Sequence, residues 1–523
     1  MKINKIFPLT AVAAFTLGFS SCIEDDSTYG QPDFIPSISV STGADEGEVP
    51  VVNNYFGSET VIEPTIDYTG DRPLSYEWSV SAAARAAGDF EVVSTEPVFR
   101  YTFPTGGQWT VILKITDGIV GFSQEYEISV NRPFEKGYCL ISNSAAGVGN
   151  LVFLKDMTSE ELDEGVEPVV IENVLPLVSS SAIDEPLVGI NLLHPSWPFN
   201  AKPRLMVSTA SRCYYLDPNS FTEVSRIDFR YEIPNFSATN ILPASSEIVA
   251  FDSNSKRFLS LLSEEMIAFE KSDWKGTKFD NFAIVSYTAW GNTNYDIAYY
   301  DVNPLRVYNR GYDYNVGGYL VRPSDEMIND EFISVFGGPS KTVIVQDPYY
   351  GDYEDTVYPF YFFTRDKSTG EILWNCYSDF GAYSSGAPVL DARKVVGNAS
   401  SAIPAVGSTG APSEKFSRTY YYNGNHVYVL IEGTDGINNL PSTSQWALEY
   451  PSDEEVTYIG IDNTSVKNDE ILIVATVNTA TGRGNLYFYN PRDVRTDNPG
   501  AKPSKTYLDC ADRISQVFYK PRK

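Results

Sequence analysis

Two histidines, His194 and His426, are all the imidazole this 523-residue chain contains, and that shortage restricts the chemistry open to it. A Ser-His-Asp triad needs one of them beside a nucleophile. No Gly-x-Ser-x-Gly elbow occurs, and Ser384-Ser385-Gly386 reads as a small-residue turn. His194 precedes Pro195 and His426 lies in the strand-like run Asn425-His426-Val427-Tyr428-Val429, so both read as structural. Zinc would want more imidazole, and Cys139, Cys213, Cys376 and Cys510 form no Cys-x-x-Cys pair, so no metal and no cofactor is expected. Glycosidase chemistry needs only two carboxylates, but 68 acidic residues offer too many pairs to single one out. The sharpest acidic and aromatic cluster runs from Asp347 to Asp355 and holds Tyr349, Tyr350, Asp352 and Tyr353. It has the chemistry to stack on a sugar or to bind calcium, though it lacks the regular Asp-x-Asp-x-Asp-Gly loop; the plain alternative is a solvated hairpin. A second cluster, Trp290-Gly291-Asn292-Thr293-Asn294-Tyr295, sets an aromatic platform beside amides and hydroxyls that suit sugars or peptide side chains. Trp197, Trp274 and Trp446 share its region, and Trp374 in Glu371-Ile372-Leu373-Trp374 reads as core.

The chain that must position these groups begins with Lys2, Lys5 and an apolar run from Ile6 to Phe19. That run is too short for the ~20 residues of a membrane span, so 1–21 reads as a signal peptide. Phe19-Ser20-Ser21-Cys22 resembles the lipobox of bacterial lipoproteins, with Phe19 where Leu is usual. The resemblance implies cleavage before Cys22 and a lipid on its sulfur; an ordinary signal-peptidase site is the alternative. Residues 22–32 then form a polar tether. Its Glu24-Asp25-Asp26 is similar to the acidic signal that exports Bacteroidetes lipoproteins to the outer face of the outer membrane.

A formal net charge of −29 disfavours nucleic acid and anionic headgroups as partners, leaving the lipid as the sole expected membrane contact. Aromatic residues make up 14% of the chain, with 35 tyrosines, which favours β structure. The four later cysteines are compatible with a Cys139–Cys510 bridge stapling the ends of a long domain, or with buried free thiols.

Residues 33–133 read as an Ig-like β-sandwich. Val61–Ile66 and Leu74–Val80 are strand candidates, and Trp109, Val111, Leu113 and Ile115 alternate onto one face, as do Tyr126, Ile128 and Val130. Tyr76-Glu77-Trp78, Tyr101-Thr102-Phe103, Gly107-Gln108-Trp109-Thr110-Val111 and Thr116-Asp117 together resemble the PKD domain. The usual Asp-Phe-Gly-Asp-Gly is replaced by an Ala-rich stretch, expected as a loop from Ser79 to Gly88. That departure is similar to a PKD-like group at the N-terminus of Bacteroidetes lipoproteins, where the domain acts as spacer or adhesive module.

From 137 to 523 an apolar strand followed by a polar turn recurs. The instances are Leu151–Asp156, Cys213–Asn219, Ile248–Asn254, Ile297–Asp301, Tyr361–Gly370, Tyr420–Asn425 and Leu486–Pro491. Seven units of roughly 55 residues predict a β-propeller, seven-bladed in preference to six or eight. The short interval from Asp217 to Asp252 allows two instances to share one blade. Glu160–Gly165 and Ser263–Lys271 are the best helix candidates. Phe134–Ser142 resembles the strand that opens the repeat region of the same lipoproteins. The resemblance implies a non-catalytic surface lipoprotein that accompanies SusC/SusD-like uptake machinery and captures a glycan or peptide. A structural adhesin, or a propeller-fold glycosidase or lyase, are the alternatives.

Overall fold

The computed structural model describes residues 35–521 except for several intervals, the longest being 157–168, 194–202, 262–268, 271–280, 346–352 and 378–387. The chain divides into two compact units. The first is a β-sandwich. Its larger sheet runs Val51–Tyr55, Gly121–Asn131, Gly107–Thr116, Ser75–Ala82, Glu91–Ser94. Opposite lie two pairs, Ile38–Ser41 with Thr65–Tyr68 and Thr60–Ile62 with Phe99–Tyr101. Pro64, which has no N–H to give a ladder, divides the expected strand Val61–Ile66 between those two pairs. The alternating apolar face is as the sequence predicts: Val111, Leu113, Ile115, Ile128 and Val130 are all buried. Trp78 is fully buried, 5.0 Å from the Phe99 ring, and its indole N–H donates to the Glu96 carbonyl at 2.8 Å. One expectation fails here. Ser79–Ala82 is strand rather than loop, because Ser81 and Ala82 stay in register with Thr110 and Trp109. The Thr116-Asp117-Gly118 turn is held by Asp117, which accepts from the Ile119 and Val120 amides at 2.8 Å and from the Tyr68 hydroxyl at 2.7 Å.

The second unit is a β-propeller with seven blades among the described residues, six of four strands and one of five. Blade 1 runs Arg513–Lys520, Gly137–Asn143, Gly149–Lys155, Val170–Ile171, from the centre outward. Blade 2 is Leu187–Leu193, Arg204–Thr209, Arg212–Leu216, Glu223–Asp228; blade 3 is Ile241–Ala244, Glu247–Asp252, Arg257–Leu261, Phe269–Glu270. Blade 4 is Asn281–Ala289, Asn292–Val302, Leu305–Asp313, Gly318–Pro323. Blade 5 is Asp330–Gly337, Phe360–Asp366, Ile372–Tyr377, Leu390–Gly397. Blade 6 is Ala411–Ser413, Arg418–Asn423, His426–Gly433, Gly436–Ile437, with Leu448–Glu449 also paired on His426. Blade 7 is Glu454–Asp462, Ile471–Asn478, Gly484–Tyr489, Lys505–Ala511.

Each recurring segment falls in its own blade, and the suspicion that two share one is corrected. Leu151–Asp156, Cys213–Asn219 and Leu486–Pro491 mark the third strand of blades 1, 2 and 7; the other four mark the second strand of blades 3 to 6. Asp217 and Asp252 are therefore close in sequence because they end a third strand and the next blade's second strand. Their turns share a mechanism. Asp217, Asp252 and Asp366 each accept from backbone amides two and three residues on, so the carboxylate closes the turn that ends the apolar run. Asp366 is held down to about 2 by the Ser368 hydroxyl and the Thr369 and Ser368 amides.

Blade strands are buried on both faces, which is why they read as nearly unbroken apolar runs. Along Gly137–Asn143, Cys139 and Ile141 pack with Ile190, Leu205 and Val207 of blade 2, while Tyr138 and Leu140 pack with Ile473, Ala475 and Phe488 of blade 7. The four cysteines are free and buried. Cys139 and Cys510 lie in different cores, on opposite faces of blade 1, so no bridge staples the ends. The ladder does so instead. Arg513–Lys520 pairs antiparallel with Gly137–Asn143, from Gly137 opposite Lys520 to Asn143 opposite Arg513. Gln516 then ties the closing strand to blade 2, its amide accepting from the Ile190 N–H at 3.3 Å and donating to the Ile190 carbonyl at 3.2 Å. In blade 5 one side chain from every strand joins a single network: Arg393 donates to both Asp330 oxygens at 2.7 and 2.8 Å, Thr364 donates to Asp330 at 2.7 Å, and Asn375 bridges Arg393 and Thr364.

Of the two helix candidates, 160–165 lies outside the described residues, as does most of 263–271; Phe269–Glu270 is the outer strand of blade 3. The described helical turns are short, Val174–Val178 and Phe229–Tyr231.

Two outcomes follow. Ile514, fully buried in the closing strand, loses contacts on both sides of the seam if shortened. Ile514→Ala is expected to lower the free energy of unfolding by about 2–5 kcal/mol, whereas Leu508→Ala, at a position 63% exposed, stays within about 0.5 kcal/mol; urea unfolding of both variants checks this. The second concerns acid. The Asp117 carboxyl is lowered to about 2 by the Val120 amide, the Tyr68 hydroxyl and the Ile119 amide, and Asp366 is lowered to about 2 as well. Depressed carboxyls stabilise above their unfolded value near ~4 and lose that contribution as pH falls toward 2. Asp117→Asn/Asp366→Asn should therefore flatten the fall in the urea midpoint between pH 4 and pH 2. An unchanged slope would mean these turns are not what acid breaks.

Candidate ligand-binding site

Successive strands of a blade run in opposite directions, so its first-to-second and third-to-fourth connections leave from one end of the ring. Second-to-third turns and blade-to-blade links leave from the other. The second-to-third turns hold only two to five residues each. Longer connections leave from both ends: 194–203, 338–359, 378–389 and 490–504 from the end opposite these turns, and the blade-to-blade links 172–186, 229–240 and 398–410 from the same end. In a propeller, connections at one end of a rigid ring are where binding groups are carried.

Blades 4 and 5 build this end out furthest in described strands. Asn281–Ala289 and Asn292–Val302 pair along their whole length, from Asn281 opposite Tyr300 to Ala289 opposite Asn292. The third strand, however, meets the second only from Tyr299–Tyr308 to Val302–Leu305. Beyond Tyr299 the first hairpin continues without the third strand for seven more pairs, to Ala289 opposite Asn292. Leu305–Asp313 and Gly318–Pro323 form a second hairpin toward the same end, with Tyr312 opposite Tyr319 and Asp313 opposite Gly318. Blade 5 inserts a third between its first two strands, Lys341–Val345 with Tyr353–Val357, Val345 standing opposite Tyr353.

Described strands that carry part of each sequence cluster singled out for ligand chemistry lie at this end. Asn292 opens the second strand of blade 4 and Tyr295 stands opposite Ser286. Trp290 lies outside the described residues, between the paired Ala289 and Asn292. Tyr353 opens the return strand of the inserted hairpin, while Tyr349, Tyr350 and Asp352 lie outside the described residues. So do Cys22, Glu24, Asp25, Asp26, His194, Trp197 and Trp274. Sequence reading kept the clusters apart; strand order puts them on adjacent blades at one end. It also passed over Tyr312 and Tyr319, which bound the tyrosine- and glycine-rich run 312–319.

The remaining candidates take structural places. Trp374 is buried in the core shared by blades 5 and 6, 5.2 Å from the Tyr361 ring. His426 pairs with Glu449 at 3.3 Å and packs 4.9 Å from the Trp446 ring. An open groove of about 350 Å³ on the sandwich is lined by Asn53, Gln108, Trp109 and Glu127, but Trp109 is turned into the core and Gln108 is bonded to Ser129 at 3.2 Å. Among the described residues no three His, Cys, Asp or Glu side chains converge on a metal position, and no helix is long and apolar enough to cross a membrane. Among the described residues, the carboxyl groups whose proton affinity is displaced, Asp117, Asp184, Asp228, Asp366 and Asp469, are displaced downward by hydrogen-bond donors.

No family model matches the chain, and no curated protein matches it. Solved structures do. A quinonprotein alcohol dehydrogenase-like protein from Bacteroides thetaiotaomicron is similar over 92% of this chain and 99% of its own, at 13% identity and a TM-score of 0.40. The β-propeller domain of Cps50 (Swd1) from Myceliophteria thermophila is similar over 68% of this chain and 96% of its own, at 11% identity and a TM-score of 0.33. That of Nup133 from Vanderwaltozyma polyspora covers 61% and 84%, at 12% identity and a TM-score of 0.32. The propeller assignment stands on the strand order and register given above.

Tyr312 and Tyr353 stand within two pairs of the open ends of their hairpins. Tyr312→Ala and Tyr353→Ala are each expected to leave the free energy of unfolding within about 0.5 kcal/mol of the parent, read by urea titration. A loss of several kcal/mol would return these tyrosines to the core.

Proposed function

We propose that this chain is a non-catalytic lipoprotein, acylated at Cys22 and held on the exterior face of an outer membrane, that captures a glycan or peptide for a SusC/SusD-like transporter. The observation that carries the reading is that strand direction puts three hairpins of blades 4 and 5 at one end of the ring. Aromatic and amide positions there suit sugar faces and peptide groups alike. The acidic Glu24-Asp25-Asp26 beside Cys22 supports export, and the PKD-like resemblance of 33–133 supports a spacer that lifts the propeller from the membrane.

The test is affinity isolation of the C-terminally tagged full-length chain from gently solubilised outer membrane. Recovery of a SusC/SusD-like pair in near-equal amount is expected, and Cys22→Ser should move the chain from the membrane to the soluble fraction and lose the pair. Recovery of the tagged chain by itself would remove the docking role; membrane retention of Cys22→Ser would remove the anchor.

A further inference from the structure

We infer that the end of the propeller carrying the blade-to-blade links is a docking surface for a second protein whose contact face is basic. This rests on the docking half of the reading above and deepens it by naming the surface and the charge of its partner. Strand direction puts the links 229–240, 324–329 and 398–410 at one end of the ring, opposite the hairpins of blades 4 and 5. Each link holds up one apolar side chain. Tyr231 is 93% exposed, Val406 80% and Ile328 67%, and no other large apolar side chain described in the propeller is as exposed.

Solitary exposed apolar side chains are ordinary on a protein surface; these three share one end and stand on fixed backbone. Tyr231 ends a 3-10 turn whose Phe229 is buried and stacked on Phe236 at 4.7 Å. Asp228 caps that turn, accepting from the Arg230 amide at 3.0 Å, and Arg230 is paired with Glu185 at 3.3 Å. Val406 stands between Ala405, which donates to the Tyr422 carbonyl of blade 6 at 2.9 Å, and Gly407, which donates to the Ile333 carbonyl of blade 5 at 2.8 Å. Ile328 stands between Met327, whose amide donates to the Leu305 carbonyl at 2.9 Å, and Asn329, whose carbonyl accepts from the Lys367 amide at 2.8 Å. Backbone held on both sides leaves little to order on binding, which is what makes a buried anchor strong.

Charge selects the occupant. The links 172–186, 229–240, 324–329 and 398–410 carry Glu172, Asp184, Glu185, Glu232, Asp325 and Glu326 against a single cation, Arg230. Cations of neighbouring turns and strands neutralise part of this: Arg483 pairs with Glu172 at 2.7 Å, Arg212 with Asp184 at 3.0 Å, and Arg306 with Glu326. Lys367 donates to the Ile328 carbonyl at 3.1 Å. Glu232, next to Tyr231, and Asp325, three residues before Ile328, are exposed and form no ion pair among the described residues. A second copy of the chain would bring these carboxylates against their own kind, and anionic headgroups would meet the same repulsion. A protein that takes the three anchors in pockets rimmed by Lys or Arg meets neither.

The test repeats the isolation of the tagged full-length chain with Tyr231→Ala, Val406→Ser and Glu232→Lys. Ile431→Ala serves as the comparison, at a 63% exposed position toward the hairpin end of blade 6. The SusC/SusD-like pair is expected to be recovered about tenfold less with each of the three and undiminished with Ile431→Ala. Recovery undiminished in all three would overturn this docking surface and leave the docking role standing. A parent chain recovered by itself would overturn the role and the surface together. A homodimer seen in sedimentation of the parent chain, or retention of Cys22→Ser on phosphatidylglycerol vesicles, that is abolished by Tyr231→Ala would overturn the basic protein partner.

Discussion

A small sheet whose two faces are both apolar has no stable existence by itself, because each face must be covered and each edge strand offers unpaired amides and carbonyls. In this propeller both demands are met by going round. Every blade covers its neighbours, and the ring stays closed because Arg513–Lys520 returns to pair with Gly137–Asn143. Blade 1 is thereby built from both ends of the domain. Cys139 and Ile141 face blade 2 from a strand whose Tyr138 and Leu140 face blade 7. Without the closing strand, two interblade cores would be open at once.

The cost of that arrangement is that polar groups near the centre must be satisfied by design of the side chains. Gln516 supplies to blade 2 the pair of bonds a neighbouring strand would have made. Asp330 collects donors from Thr364 and Arg393, so the four strands of blade 5 are tied by side chains as well as by ladder bonds. Blade 7 repeats the start of this device, with Thr476 and the Tyr487 hydroxyl both bonded to Glu454. These networks rigidify the ring and leave its connections free to vary in length.

Connection length varies at both ends. Turns closed by Asp252, Asp366 and Asn478 share one end with the links 172–186, 229–240 and 398–410, and the hairpins of blades 4 and 5 lie at the other. The strands at that end carry tyrosine and asparagine positions, among them Tyr287 opposite Asn294 and Tyr312 opposite Tyr319. The downward displacement of Asp228 and Asp366 fits carboxylates that serve as hydrogen-bond acceptors.

Much of this was legible in the residues because it is local. Two-residue alternation announced the sandwich strands around Trp109 and Tyr126, and an apolar run capped by Asp or Asn marked one strand of every blade. A turn cap acts within three residues, so its signal survives in sequence. The interval Asp217–Asp252 misled because the same local signal marks second and third strands alike, and burial on both faces gives every blade strand the same composition. Blade membership, the closing seam and the separation of Cys139 from Cys510 depend on pairing across hundreds of residues. The placing of the strands that begin at Asn292 and Tyr353 at one end depends on strand direction, which only the folded ring decides.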